Sequence, residues 1–205
     1  MRLSQAIVWA ALVFVPANSS WAAPLWSTGN QSMNENVLFG HSTCAGCVDG
    51  PATTVIGHGQ TTNILVDFSS LTSIQQNGGN AVWSTNEAAG FMSMSIFSPG
   101  YYITGIMFQL TEVTSAPDGN VALTANLAGG GTSTGNFALS HTGGGQNQFY
   151  WTGGSATSIG IAPTQALHDV SQISITLQAV PEPATFGMVG AGLVALAVMG
   201  RRVRR

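Results

Sequence analysis

Lysine is absent from this 205-residue chain, and its five arginines all lie within the first two or last five residues. Between those tips, residues 23–180 carry Glu35, Asp49, Asp67, Glu87, Glu112, Asp118 and Asp169 and no formal cation. An acidic body is therefore flanked by basic ends. This absence excludes whole classes of activity. Nucleic-acid binding draws its affinity from Lys and Arg that neutralise phosphates. P-loop lysines, arginine clamps and Schiff-base lysines need the same side chains. The carboxylates are constrained too. Any that is buried must be satisfied by backbone N–H groups, a histidine or a metal ion, because the body offers no Lys or Arg partner.

Cysteine is nearly as scarce. Cys44 and Cys47 are the two in the chain, set as C-x-x-C within His41-Ser42-Thr43-Cys44-Ala45-Gly46-Cys47. A c-type haem attachment would need histidine at position 48, where Val48 stands. A thioredoxin-like pair would open a helix in a βαβ unit, which the surroundings do not suggest. The reading adopted is a Cys44–Cys47 disulfide closing a small loop in an oxidising compartment. The alternatives are a tetrahedral zinc site from His41, Cys44, Cys47 and His58, which lacks a second cysteine pair, and free or redox-active thiols.

Catalytic constellations are missing as well. No serine sits in a G-x-S-x-G elbow. The acids are scattered, with no pair singled out for glycoside hydrolysis. His141 and His168 stand beside Ser140 and Asp169, but neighbours on a strand point to opposite faces and do not make a dyad. Asp118-Gly119-Asn120 reads as an ordinary β-turn rather than a calcium loop. Trp83, Tyr101, Tyr102, Tyr150 and Trp151 fit core or half-core positions better than a sugar-stacking platform. The expectation is a protein that is not an enzyme, with no catalytic residue and no cofactor. A carbohydrate-binding module is the first alternative, and an envelope hydrolase with converging carboxylates or histidines is the second.

What the body does hold is period two. Ile173, Ile175, Leu177 and Ala179 alternate with polar residues, as do Val121, Leu123 and Ala125. The same pattern runs through Met92, Met94 and Ile96, through Ile64, Val66 and Phe68, and through Phe137 with Leu139 and Phe149 with Trp151. Tyr102, Thr104, Ile106, Phe108 and Leu110 are predicted to share one face of the longest strand. The separators are turn-formers: Asn77-Gly78-Gly79-Asn80, Ser98-Pro99-Gly100, Pro117-Asp118-Gly119-Asn120 and the glycine triplets at 129–131 and 143–145. No helical stripe with caps appears in the body. Short strands without helical crossovers predict an all-β fold, an antiparallel β-sandwich of jelly-roll or immunoglobulin-like type, with a closed barrel as runner-up.

The two ends are different. Arg2, the apolar stretch Ala6–Val15, Pro16 and the small residues Ser20 and Ala22 follow the order of a secretory signal peptide cleaved after Ala22. Export by the Sec translocon and trimming by signal peptidase follow from that order. At the other end, Ala184–Gly200 is an uncharged run of 17 residues, about 25 Å long as a helix and at the short end for spanning a bilayer. Arg201, Arg202, Arg204 and Arg205 follow it and predict a cytoplasmic tail. Pro181 and Pro183 suit an extended joint before the membrane.

Pro181-Glu182-Pro183, the short Ala/Gly-rich run and the arginine cluster together resemble the PEP-CTERM sorting signal of Gram-negative bacteria. The resemblance covers about the last 25 residues of the 205. It implies recognition by an exosortase, a membrane-embedded cysteine transpeptidase, and processing near Pro181, Glu182 and Pro183. It further implies a transient stay in the inner membrane, then the cell surface or an extracellular matrix of biofilm or exopolysaccharide. The expected organisation is a signal peptide at 1–22, a secreted β domain at 23–180 and a sorting segment at 181–205. Within that segment the motif is 181–183, the transmembrane helix 184–200 and the basic tail 201–205. The partners expected are the exosortase and the export machinery, with exopolysaccharide as a further candidate and nucleic acid excluded.

Overall fold

The computed structural model describes residues 25–40, 44–113, 117–140, 147–181, 190 and 192. The expected signal peptide, its cleavage site and most of the sorting segment lie outside these residues. The described body is all-β. In chain order the strands are β1 (Leu25–Thr28), β2 (Glu35–Leu38), β3 (Ala52–Gly59), β4 (Leu65–Gln76), β5 (Val82–Ser84), β6 (Met94–Phe97), β7 (Tyr101–Glu112), β8 (Asn120–Leu127), β9 (Thr132–Ala138), β10 (Gln148–Pro163) and β11 (Leu167–Ala179).

Tight turns join many of them, and the turn chemistry read from the sequence explains why. Gly78 and Gly79 take positive φ in the β4–β5 turn, where Asn77 N donates to Ala81 O. The β8–β9 hairpin reverses through the first glycine triplet, with Gly130 and Gly131 at φ 89° and 82°, a conformation open to glycine at no steric cost. The second triplet lies outside the described residues.

All strand pairings are antiparallel. They close a circuit that runs β2–β3–β4–β6–β10–β7–β11 and returns to β2, a seven-strand barrel. β5 bridges β4 and β11, while β1, β8 and β9 extend from β10. The all-β antiparallel expectation holds, but the arrangement is the barrel rather than the two-sheet sandwich placed ahead of it. The closing contact pairs Ser174 with Asn36 and Ile175 with Glu35. Two segments so far apart in the chain leave no local signal of their meeting. Closure satisfies backbone groups that open sheet edges would expose.

One apolar cluster fills the interior. Phe68, Ile96, Leu123, Phe149, Trp151 and Ile175 are all fully or almost fully buried in it. Burying a side chain of this size is worth roughly 1.5–3 kcal/mol relative to exposure. The alternation in β8 matches expectation, but β7 departs from it. Ile103 is buried, and Tyr102 and Thr104 are not. Gly105 pairs with Thr176 and Ile103 with Leu177, so Thr104 is an extra residue opposite β11. A bulge of that kind flips the face of everything beyond it. Met92 lies outside β6 and is 51% exposed.

β10 is the longest strand and serves both halves of the barrel. Its first residues, Gln148–Thr152, pair with β7 and β1; its last, from Ala156 to Pro163, pair with β8 and β6. The bend between them carries Gly153 at φ 91° and a register shift between Ala156 and Ser158.

Candidate functional site

Three groups of polar side chains stand out, and the tail makes a fourth. The first is the cysteine loop. Cys44 and Cys47 are joined as a disulfide, with Gly46 at φ 100° turning the chain between them. The loop is fastened to β3 by reciprocal backbone bonds, Val48 N to Ile56 O at 3.2 Å and Ile56 N to Val48 O at 2.9 Å. Val55 faces the core, so Ile56 and His58 face the opposite side of β3 and lie toward the loop. His58 is buried, with its Nδ1 3.5 Å from Cys47 Sγ. The sulfur and nitrogen atoms of Cys44, Cys47 and His58 all lie within 4.8 Å of one another. That is metal-ligand spacing, but a thiolate is the ligand form, and these sulfurs are bonded to each other. His41, the fourth candidate ligand, lies outside the described residues.

The second group corrects the sequence reading. His168 and Asp169 were expected to point apart, yet His168 Nδ1 lies 3.0 Å from Asp169 Oδ2. The cause is a second bulge. Leu167 pairs with Glu112 and Asp169 with Thr111, leaving His168 as the additional residue on β11. Thr111 donates its hydroxyl to Asp169 Oδ1 at 3.2 Å, and the His168 ring packs against Trp83 with centroids 4.9 Å apart. The group is an oriented imidazole beside an acid. No hydrogen bond among the described residues links that imidazole to a serine, threonine or cysteine nucleophile.

Glu35, Glu112 and Asp169 are buried, while Glu87 and Asp118 are exposed on loops. Burial in a body without cations raises the pKa of Asp67 above the usual carboxylate value. Trp151 and Trp26 pack in the core at a centroid separation of 6.4 Å. Trp83, Tyr101, Tyr102 and Tyr150 are half-buried.

The third group escaped the sequence altogether. On the outer face, Ser27, Tyr150, Met107, Ser174 and Asn36 stand opposite one another in a single row across β1, β10, β7, β11 and β2. The segment after β1 lies over part of this face, where Met33 Sδ fills the space that a side chain at Gly105 would need. Beside it opens a cleft of about 460 Å³, lined by Asn30, Asn36, Asn80 and Gln172 with Ser32, Ser174, Met33 and Met107. The lining holds no charge. Gln172 enters it from a third irregularity of β11, between Ser171 and Ser174, and sits at φ 50°. Its Oε1 accepts from Gln148 Nε2 at 2.8 Å. Ser174 is 5% exposed, and its Oγ has no hydrogen-bond partner among the described residues. A glutamine at positive φ and a buried hydroxyl with no partner among the described residues, both in one polar cleft, are features that cluster at binding sites. Nothing in the alternation of β11 announces a residue at positive φ, so only the structure could assemble this group.

The tail leaves the barrel at a defined point. Val180 N donates to Gly100 O at 3.0 Å, and the next residue, Pro181, is exposed. Beyond it Gly190 and Gly192 are helical and exposed. Glu182, Pro183, Arg201, Arg202, Arg204 and Arg205 lie outside the described residues. Among the described residues no helix is long and apolar enough to cross a membrane, and the expected span at 184–200 falls almost wholly beyond them.

Fold and tail together define an antiparallel all-β module followed by a C-terminal segment of separate character. That segment matches the family model of the PEP-CTERM protein-sorting motif over residues 179–205. The motif implies an exported, surface-directed protein with an exosortase as its processing partner. No curated protein and no solved structure matches the chain.

Proposed function

We propose that this chain is a non-catalytic module of the cell surface or extracellular matrix, delivered by the Sec route and processed by an exosortase at or near Pro181-Glu182-Pro183. The observation that carries the reading is the position of the motif. Among the described residues, the last hydrogen bond to the barrel is made by Val180, and Pro181-Glu182-Pro183 begins at the exposed residue after it, within the matched segment 179–205. Cleavage there removes none of the described strands, so the seven-strand ring keeps every one of its members whether the new end is free or attached. The uncharged run and arginine tail then serve to hold the chain in the inner membrane until processing. The C-terminal residue of the mature protein tests the proposal. A terminus within or close to residues 181–183 is expected, whereas purified native material ending at Arg205 would reduce the segment to a plain anchor.

A second reading, carbohydrate binding, is favoured by the carboxamide-lined cleft. Each Asn or Gln amide donates and accepts from one planar group, which suits the paired hydroxyls of a sugar. The uncharged lining suits a neutral one, and Met33 and Met107 offer apolar surface to its C–H faces. Electrophoresis through gels containing envelope polysaccharides tests it. Retardation that is lost in Asn36→Ala and Ser174→Val is expected, and equal mobility in every gel tells against the cleft as a glycan site.

A further inference from the structure

The Cys44–Cys47 bond has no internal rival, because the chain has no third cysteine. It can exchange only with a thiol brought from outside. As a staple it does little. A disulfide restricts the unfolded chain according to the length of the loop it closes, and this one joins residues three apart. The segment is also held already by the reciprocal Val48 and Ile56 backbone bonds.

What distinguishes the pair is asymmetry. Cys44 is partly exposed and is followed by the exposed, small Ala45 and Gly46. Cys47 is 3% exposed and faces the equally buried His58. An incoming nucleophile therefore reaches Cys44 Sγ, while the sulfur that must leave is the one beside an imidazole nitrogen.

We propose that Cys44–Cys47 is an exchangeable disulfide whose substrate is a small soluble thiol. The thiolate attacks Cys44 Sγ and forms a mixed disulfide there. The Cys44–Cys47 bond breaks, and its electron pair passes to Cys47 Sγ. His58 Nδ1–H hydrogen-bonds that departing sulfur as charge develops on it, and a better-stabilised leaving thiolate leaves faster. A second molecule of the thiol attacks the outer sulfur of the mixed disulfide. This forms the small-molecule disulfide and releases Cys44. In sum, two small thiols lose two electrons and two protons, and Cys44 and Cys47 gain them as thiols. The reaction is stoichiometric, with the protein as oxidant, and it is independent of how the tail is sorted.

The test exposes the full-length protein briefly to reduced glutathione, quenches with an alkylating agent and maps both cysteines by mass spectrometry. A glutathione adduct on Cys44 with alkylated Cys47 is expected. His58→Gln, with an unchanged circular-dichroism spectrum, is expected to slow adduct formation at least about tenfold, as removal of a positioned proton donor does. Adducts confined to Cys47, or none until the protein is denatured, overturn the proposal. So does an unchanged rate in folded His58→Gln. If that variant does not fold, the site of attack in the unaltered protein decides. Native protein carrying zinc and showing no two-hydrogen mass gain on reduction overturns the disulfide itself.

Discussion

Glu35 brings a carboxylate into the wall of a barrel whose body contains no lysine or arginine. Its Oε2 accepts from the backbone N–H groups of Thr61 and Thr62, each at 3.1 Å, and its Oε1 accepts from the Thr62 hydroxyl at 2.8 Å. This is the backbone solution open to a body without lysine or arginine, and Asp169 uses the histidine solution. Gly59 supplies the room, since a Cβ there would lie 2.5 Å from the carboxylate. Gly59→Ala is expected to destabilise the fold by about 1–3 kcal/mol through overpacking. Glu35→Ala should cost a similar amount, about 1.5–3 kcal/mol, through lost charge-assisted hydrogen bonds. Urea melts of both variants check this. Asp67 behaves in the opposite sense. Burial raises its pKa, so the native state binds its proton more tightly than the unfolded chain does. Stability from this group is therefore fully present at low pH. It falls as pH rises from the ordinary carboxylate value through the raised one. Asp67→Asn should melt higher than the parent at neutral pH, with the difference disappearing in acid. A melting curve at each pH would show it.

At the scale of elements, the turns and the buried faces of β8 and of early β10 follow directly from the order of residues. The bulges do not. Thr104, Thr157 and His168 are single extra residues that re-aim whole faces. Each has no counterpart on the partner strand, so an alternating pattern read along one strand predicts the wrong side. Tyr102 and Thr104 fell on the wrong face for this reason, and the His168–Asp169 contact was missed for it. β10 shows how such a bend is built. Gly153, at φ 91°, takes a backbone conformation that a residue with a Cβ adopts at a cost of about 1–2 kcal/mol. Gly153→Ala should lose that much stability in chemical denaturation. Gly129→Ala, on an exposed hairpin with nothing within 4 Å, should stay within about 0.5 kcal/mol of the parent.

For the molecule as a whole, stability and solubility depend on closure. β2 is four residues long, yet it joins β3 to β11 and completes the ring. A chain lacking residues 25–40 would expose the facing edges of β3 and β11, and unpaired edges invite intermolecular pairing. Size-exclusion chromatography should show the complete body as a discrete species and the shortened one as high-mass aggregate. Refolding of the complete body should be slow, on the order of milliseconds to seconds, because distant strands must meet before the ring closes. Stopped-flow fluorescence of the buried tryptophans reports it.

Composition and local pattern were enough to determine that the body is antiparallel β, that its buried acids must be satisfied without Lys or Arg by backbone N–H groups, a histidine or a metal ion, and that its C-terminal segment is a sorting motif. These properties reside in residue type and short spacing, which do not change as the chain folds. The tertiary structure alone decided that the sheet closes into a barrel, that His58 meets Cys47, and that Asn36, Gln172 and Ser174 line one cleft. Each of those depends on residues distant in the chain being brought into register, and a single misplaced bulge would have turned the same side chains to the other face.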